Sequence, residues 1–223
     1  MKLAVIGAGS IGSAIVDISV RYGIKKIFLI DHDVLTEENL KRHVLDLSSV
    51  GKPKVLALQE KYPDCDITAF WKKYDGFPEK PDVIACCADS DACCQLVNQY
   101  CVENKIPCVW GGVHGAAERA EVITYVPGFP CYACYEREGE LPEPSREKYT
   151  NPNYDPTQTP HQEGLWGDVL MAASMTFRAI LGVLEGKPNP LILASLRPPY
   201  GAEIINQKPG CAVCTDDMKG LRV

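Results

Sequence analysis

A chain of 223 residues, 46% hydrophobic and 23% charged, suits one globular domain or one domain with a substantial embellishment. Its net charge of −6, with no basic tract, excludes a nucleic-acid partner, whose phosphates demand a basic face. The opening MKLAVIGAGS is too short in apolar length for a signal peptide, and no apolar run approaches the roughly 20 residues of a membrane span. The expectation is therefore a cytoplasmic protein. Its 11 cysteines should be free thiols or metal ligands and not a disulfide framework.

Residues 2–6 (KLAVI) predict a short buried strand, and Gly7-Ala8-Gly9-Ser10-Ile11-Gly12 a turn feeding a helix to about Tyr22. Residues 26–30 predict a second strand ending at Asp31, which completes a βαβ unit. Glu37–His43 predicts a short helical stretch, and Pro53 opens a helix to about Lys61. A strand over 66–71 follows. Asp82–Cys86 reads as an interior strand, with a loop at Ala88-Asp89-Ser90 and a helix through about Glu103. Pro107–Trp110 is the next strand, closed by Gly111-Gly112. Such alternation implies a parallel sheet with helices on both faces. Beyond it a more antiparallel half is expected: a strand over Glu121–Val126, a long polar loop over 136–163, a helix capped by Asp168 and running to about Glu185, and a hairpin of Leu191–Leu196 with Glu203–Asn206. The predicted class is α/β, a Rossmann-like mostly parallel sheet extended by an antiparallel C-terminal half. Residues 1–126 and 127–223 would form these halves of one continuous domain.

The stretch from Asp31 to Lys54 concentrates the polar chemistry. The glycines let backbone N–H groups at a helix start approach phosphate oxygens. Asp31 falls about 20 residues beyond them, where an acid grips ribose hydroxyls; the plainer reading is a strand-end aspartate. Asp31 and Asp33 can take a ribose or a metal ion. Asn39 and Arg42 share one face of a helical turn and, with Lys52 and Lys54, could converge on a phosphate chain. A solvated charged face is the alternative. Asp89 lies just past an interior strand, beside the crevice where open α/β sheets bind ligands, and could hold Mg²⁺ between phosphates. Two CxxC pairs, Cys131 with Cys134 and Cys211 with Cys214, each follow a Pro-Gly and have the local geometry for one tetrahedral Zn²⁺. A redox CxxC is the competing reading. The remaining cysteines mostly sit at core-like positions, with Cys93 and Cys94 the ones to watch because they are close in sequence to Asp89.

GAGSIG, DHD, NLKRH, GKPK, CCADS, PCYAC and GCAVC, in that order, resemble the ubiquitin-activating-enzyme-like adenylyltransferases of ThiF and MoeB type. The resemblance spans almost the whole chain. It implies that Asp31 holds the ribose of ATP, that Asn39, Arg42 and Lys54 contact its phosphates, and that Asp89 binds Mg²⁺. The implied reaction is attack of the C-terminal glycine carboxylate of a small β-grasp protein on the α-phosphate, giving an acyl-adenylate and pyrophosphate. A homodimer through the Leu165–Val183 helix is also implied.

Three features depart from that pattern. No cysteine lies between Cys134 and Cys211, and His161 stands where a carrier cysteine is usual, which favours an enzyme that stops at the adenylate. Cys94 occupies the place of an arginine five residues beyond the Mg²⁺ aspartate. The first strand begins at the start of the chain, where members often place a helix whose arginine reaches the other subunit. Two further readings are a weakly active or non-catalytic partner subunit and a nicotinamide-dependent dehydrogenase. The second would share Gly7, Gly9, Gly12 and Asp31 but gives no reason for the basic runs or Asp89.

Overall fold

In the computed structural model, which describes residues 1–114, 119–135, 166–189, 191–196, 201–204, 211, 213 and 214, the apolar runs KLAVI and KIFLID form β1 (Lys2–Ile6) and β2 (Lys26–Asp31). β3 (Asp66–Trp71), β4 (Val83–Cys86) and β5 (Cys108–His114) join them in parallel, in the order β3-β2-β1-β4-β5. The same sheet continues antiparallel through β6 (Arg119–Tyr125), β7 (Leu191–Ser195) and β8 (Ala202–Ile204), making eight strands among the described residues.

Alternation of side chains along each strand divides the core into two layers. Leu3, Val5, Ile27, Leu29, Val83, Ala85 and Val109 face α1 (Ser10–Tyr22), α2 (Lys54–Lys61) and the helix Trp166–Leu184, here α5. Ala4, Ile6, Phe28, Ile84, Cys86, Cys108 and Trp110 face α3 (Asp91–Asn104) and the single turn α4 (Tyr132–Tyr135). Of the cysteines outside the CxxC pairs, Cys65, Cys86, Cys94, Cys101 and Cys108 are buried as small apolar groups, whereas Cys87 and Cys93 are half-buried.

Several expectations need correcting. The short helical stretch expected over Glu37–His43 is present in 3-10 form over Glu37–Arg42, and a second 3-10 turn spans Leu47–Ser49. β5 does not stop at Gly111-Gly112 but runs through them to His114, because β6 supplies an antiparallel partner along that whole length. α5 starts at Trp166, so Asp168 lies buried inside its first turn and does not cap it. α5 is also long and apolar enough, by length and composition, to cross a membrane, against the expectation of no such run. Half of that window is buried, packed on α1, β5 and β6. The loop over 136–163 and His161 lie outside the described residues.

Candidate functional site

Strand order reverses between β1 and β4, so the crevice at their C-terminal ends is where an open α/β sheet takes a ligand. The glycine turn fills the β1 side of it. Gly7 has a positive φ of 87°, and a Cβ there would meet the Cys87 carbonyl oxygen at 2.7 Å. Gly12 packs so closely on the Gly7 carbonyl that no side chain fits. Gly9 differs: nothing among the described residues lies within 4 Å of its Cβ position, which leaves its outer face open to a ligand. It is also the N-cap of α1, and no side chain among the described residues caps the first-turn N–H groups, so they are available to an anion.

Ala8, between those glycines, is held from two sides. Its N–H donates to Asp31 Oδ2 at 2.6 Å, while its carbonyl accepts from His43 Nε2 at 2.8 Å. Asp31 Oδ1 accepts from the Asp33 N–H at 2.7 Å. Each Asp31 oxygen thus has one lone pair in use and one spare for a hydroxyl. His43 is buried, and its Nδ1 accepts from the Leu45 N–H at 3.2 Å. One ring nitrogen donating and the other accepting selects the neutral imidazole. Burial pushes the His43 pKa below its ordinary value, helped by nearby Lys54 and opposed by the Ala8 hydrogen bond and by Asp31. Sequence reasoning missed His43, which stood only as the last residue of a predicted short helical stretch. The signal was its neighbours: Val44 and Leu45 carry the chain into the core.

The segment 33–35 runs against 51–54, with Leu35 N–H bonded to the Lys52 carbonyl and Lys54 N–H to that of Asp33. This brings the buried Lys54 Nζ to 2.8 Å from Asp33 Oδ2, and that ammonium holds the Asp33 carboxyl below the usual carboxylate range. Asp31, His32 and Asp33 offer ligand atoms within 4.8 Å of one another, yet the ammonium on Asp33 opposes a cation there. Asn39 Oδ1 accepts from Thr36 N–H at 3.2 Å, closing its own 3-10 turn and leaving the amide N–H groups free for other acceptors. Lys52 is drawn outward to Glu60 at 2.6 Å. Arg42 is half-buried and Asp89 exposed, and neither has an ion-pair partner among the described residues. Cys93 is held near Asp89 and Asp31; burial, Cys94 and those two carboxylates push its thiol up to about 11. A group so disposed is a poor nucleophile at neutral pH.

The other cluster lies across the sheet. Cys131, Cys134, Cys211 and Cys214 are all buried, with Sγ atoms within 4.8 Å of one another. Cys131 and Cys211 approach to 3.4 Å, Cys134 and Cys214 to 3.4 Å, and Cys211 and Cys214 to 3.6 Å. The fold therefore brings both CxxC turns to one point, although 80 residues separate them. Four thiols at such spacing could hold one metal ion.

A sheet parallel through five strands, with a glycine turn and an open helix N-terminus where the strand order reverses, defines a Rossmann-like α/β fold. The chain belongs to the ThiF family, whose profile matches residues 1–212. The molybdopterin-synthase adenylyltransferase of Escherichia coli K12 is 29% identical over 146 residues, covering 61% of this chain and 59% of that protein. The adenylyltransferase and sulfurtransferase UBA4 of Yarrowia lipolytica is 28% identical over 233 residues, covering 96% of this chain and 56% of that protein. Crystalline E. coli MccB with ATP shares the fold, with a TM-score of 0.72 over 96% of this chain and 66% of that one at 22% identity. The chain thus spans between half and two thirds of the length of these relatives. The family resemblance read from the ordered motifs is borne out, and the dehydrogenase reading is set aside.

Proposed function

We propose that this chain is an ATP-dependent adenylyltransferase that activates the C-terminal glycine carboxylate of a small ubiquitin-like or sulfur-carrier protein as an acyl-adenylate. The observation that carries this is the composition of the crevice. The α1 N-terminus at Gly9, the buried Lys54 ammonium on Asp33, and Asp89, exposed past β4 and without an ion-pair partner among the described residues, are the groups this reading assigns to the nucleotide. Adenylyltransferase activity in the names of relatives supports the same reading.

The nucleophile is a carboxylate, already ionised, so no general base is required. The protein must bring two anions together and stabilise charge growing on phosphorus and on departing pyrophosphate. Ala8, fixed by Asp31 and His43, keeps the turn in register with the phosphates. Lys54 gives one of its three N–H donors to Asp33 and keeps two for phosphate oxygens. Arg42 and the Asn39 amide supply further donors, and the spare lone pairs of Asp31 receive the ribose hydroxyls. Mg²⁺ held by Asp89 would neutralise phosphate charge. Cys93, opposed by two carboxylates, is not assigned a covalent role.

The cysteine cluster fits Zn²⁺. Tetrahedral ligation at the usual Zn–S length places sulfurs about 3.8 Å apart, close to the 3.4 and 3.6 Å found. Four thiolates leave no open position, so the ion would brace the second half and not catalyse. The reducing cytoplasm, where such thiols persist, is the compartment we assign.

ATP–pyrophosphate exchange dependent on a β-grasp protein ending in Gly-Gly tests the proposal. Asp89→Ala and Arg42→Ala should each lower exchange about 10²–10³-fold. Wild-type rates in both variants would remove the site assignment. ATP binding without any exchange would instead mark a partner subunit, the reading favoured by a buried Cys94 where the family pattern has arginine.

A further inference from the structure

Asn98 is a polar residue on the wrong face of its helix. α3 buries Cys94, Val97, Asn98, Cys101 and Val102 against the sheet, an apolar stripe at helical spacing, and Asn98 is 0% exposed. A carboxamide so placed is costly unless both its ends are satisfied. Both are, and by the same short segment. Its Nδ2 donates to Cys131 Sγ at 3.5 Å, and its Oδ1 accepts from the Tyr132 N–H at 3.0 Å. One side chain of the nucleotide-binding half thus grips the first CxxC turn at a ligand sulfur and at the next peptide.

Tyr132 makes the return connection. Its hydroxyl donates to Asp91 Oδ1 at 3.3 Å, and its ring lies 5.2 Å from that of Trp110. Asp91 is the first residue of α3, two positions beyond Asp89. The cysteine cluster is therefore joined to α3 at mid-helix through Asn98 and at its N-terminus through Asp91, the end that carries the Asp89 loop.

We propose that Asn98 is a positioning residue that ties the four-cysteine metal site to α3, so that an occupied cysteine site sets the Asp89 loop for Mg²⁺ and ATP. An N–H donated to a ligand thiolate spreads its negative charge and fixes its direction, the role outer hydrogen bonds play at metal sites. Unlike direct ligation, this role makes metal affinity and nucleotide affinity move together. It rests on the zinc and ATP assignments above, and the experiment separates the two.

Asn98→Asp keeps the acceptor for Tyr132 N–H but loses the donor to Cys131 and adds charge beside thiolates. Tyr132→Phe removes the hydroxyl and with it the contact to Asp91, and leaves the backbone N–H that Asn98 holds. Full-length wild-type protein and both variants would be titrated with Zn²⁺ against a colorimetric chelator, and with Mg·ATP by calorimetry. Melting temperatures of metal-free and zinc-loaded forms complete the set. Asn98→Asp should weaken Zn²⁺ about 10–100-fold, shrink the gain in Tm on zinc loading, and weaken Mg·ATP. Tyr132→Phe should leave Zn²⁺ affinity intact and weaken Mg·ATP about twofold to fivefold, the worth of one modest hydrogen bond. A purely structural asparagine would lower Tm equally with and without metal, and that result overturns the inference. If Asn98→Asp does not fold, Tyr132→Phe with unchanged Mg·ATP affinity overturns it equally. Wild-type protein that takes up no zinc overturns the metal assignment and this inference together. Wild type that binds both ligands beside variants that bind them equally well overturns this inference alone.

Discussion

At the scale of single residues, the site divides into groups that sequence position reveals and groups that only contact reveals. Asp31 closes β2 and Asp89 stands just past β4, and strand ends are legible from apolar runs and glycines. The Asp33–Lys54 pair and the His43–Ala8 bond are not, because each joins segments 21 and 35 residues apart. His43 yields a pH prediction. Its folded-state pKa is lowered by burial, so in acid the unfolded chain takes up the proton first. Its contribution is complete above the unfolded pKa of about 6.5 and declines as pH falls towards the folded value. Asp33, whose pKa is also lowered, acts in a separate and more acid window. The urea midpoint should therefore fall between pH 7 and 5 in the wild type, and less steeply in His43→Gln. The glutamine amide can still donate to the Ala8 carbonyl, so its cost at pH 7.5 should be about 1 kcal/mol. Parallel pH profiles for the two proteins would show that His43 does not titrate as assigned.

At the scale of elements, the parallel strands and their helices were legible because buried strands are short apolar runs punctuated by glycine. The end of β5 was not. Gly111-Gly112 looks like a stop, yet Gly111 is there for packing: a Cβ on it would lie 2.8 Å from Thr176 Cγ2 and closer still to Oγ1. Thr176 is fully buried on α5, so glycine is what lets the helix lie close against the strand. The short helix at Glu37–Arg42 was legible too, but its 3-10 form was not: Thr36 and Asn39 close a capping box around a segment that sets only Leu40 against the core. Gly111→Ala should destabilise by about 1–3 kcal/mol through overpacking. Adding Thr176→Ala should recover most of that loss, as expected for residues in contact. Chemical denaturation of the two single variants and the double variant measures the coupling, and additive losses would place the strain elsewhere.

At the scale of the whole molecule, α5 meets the sheet with one face and solvent with the other. Val169, Ala172, Ala173, Thr176, Phe177 and Ile180 are buried, while Gly167, Leu170, Met171, Ser174 and Arg178 form an exposed stripe at helical spacing. Leu170 and Met171 are 37% and 42% exposed, and the small residues Gly167 and Ser174 flank them, so another surface could approach closely. Stability of the single chain gives no reason for two large apolar groups there, whereas a two-fold self-contact would bury both twice over. We therefore propose a homodimer through this face. Light scattering at micromolar concentration should give twice the 24.5 kDa chain mass. Leu170→Glu combined with Met171→Glu should halve that value and leave the far-ultraviolet circular dichroism unchanged, because neither side chain faces the core. A wild-type monomer under those conditions refutes the dimer. A dimer that survives the double substitution moves the contact to another face.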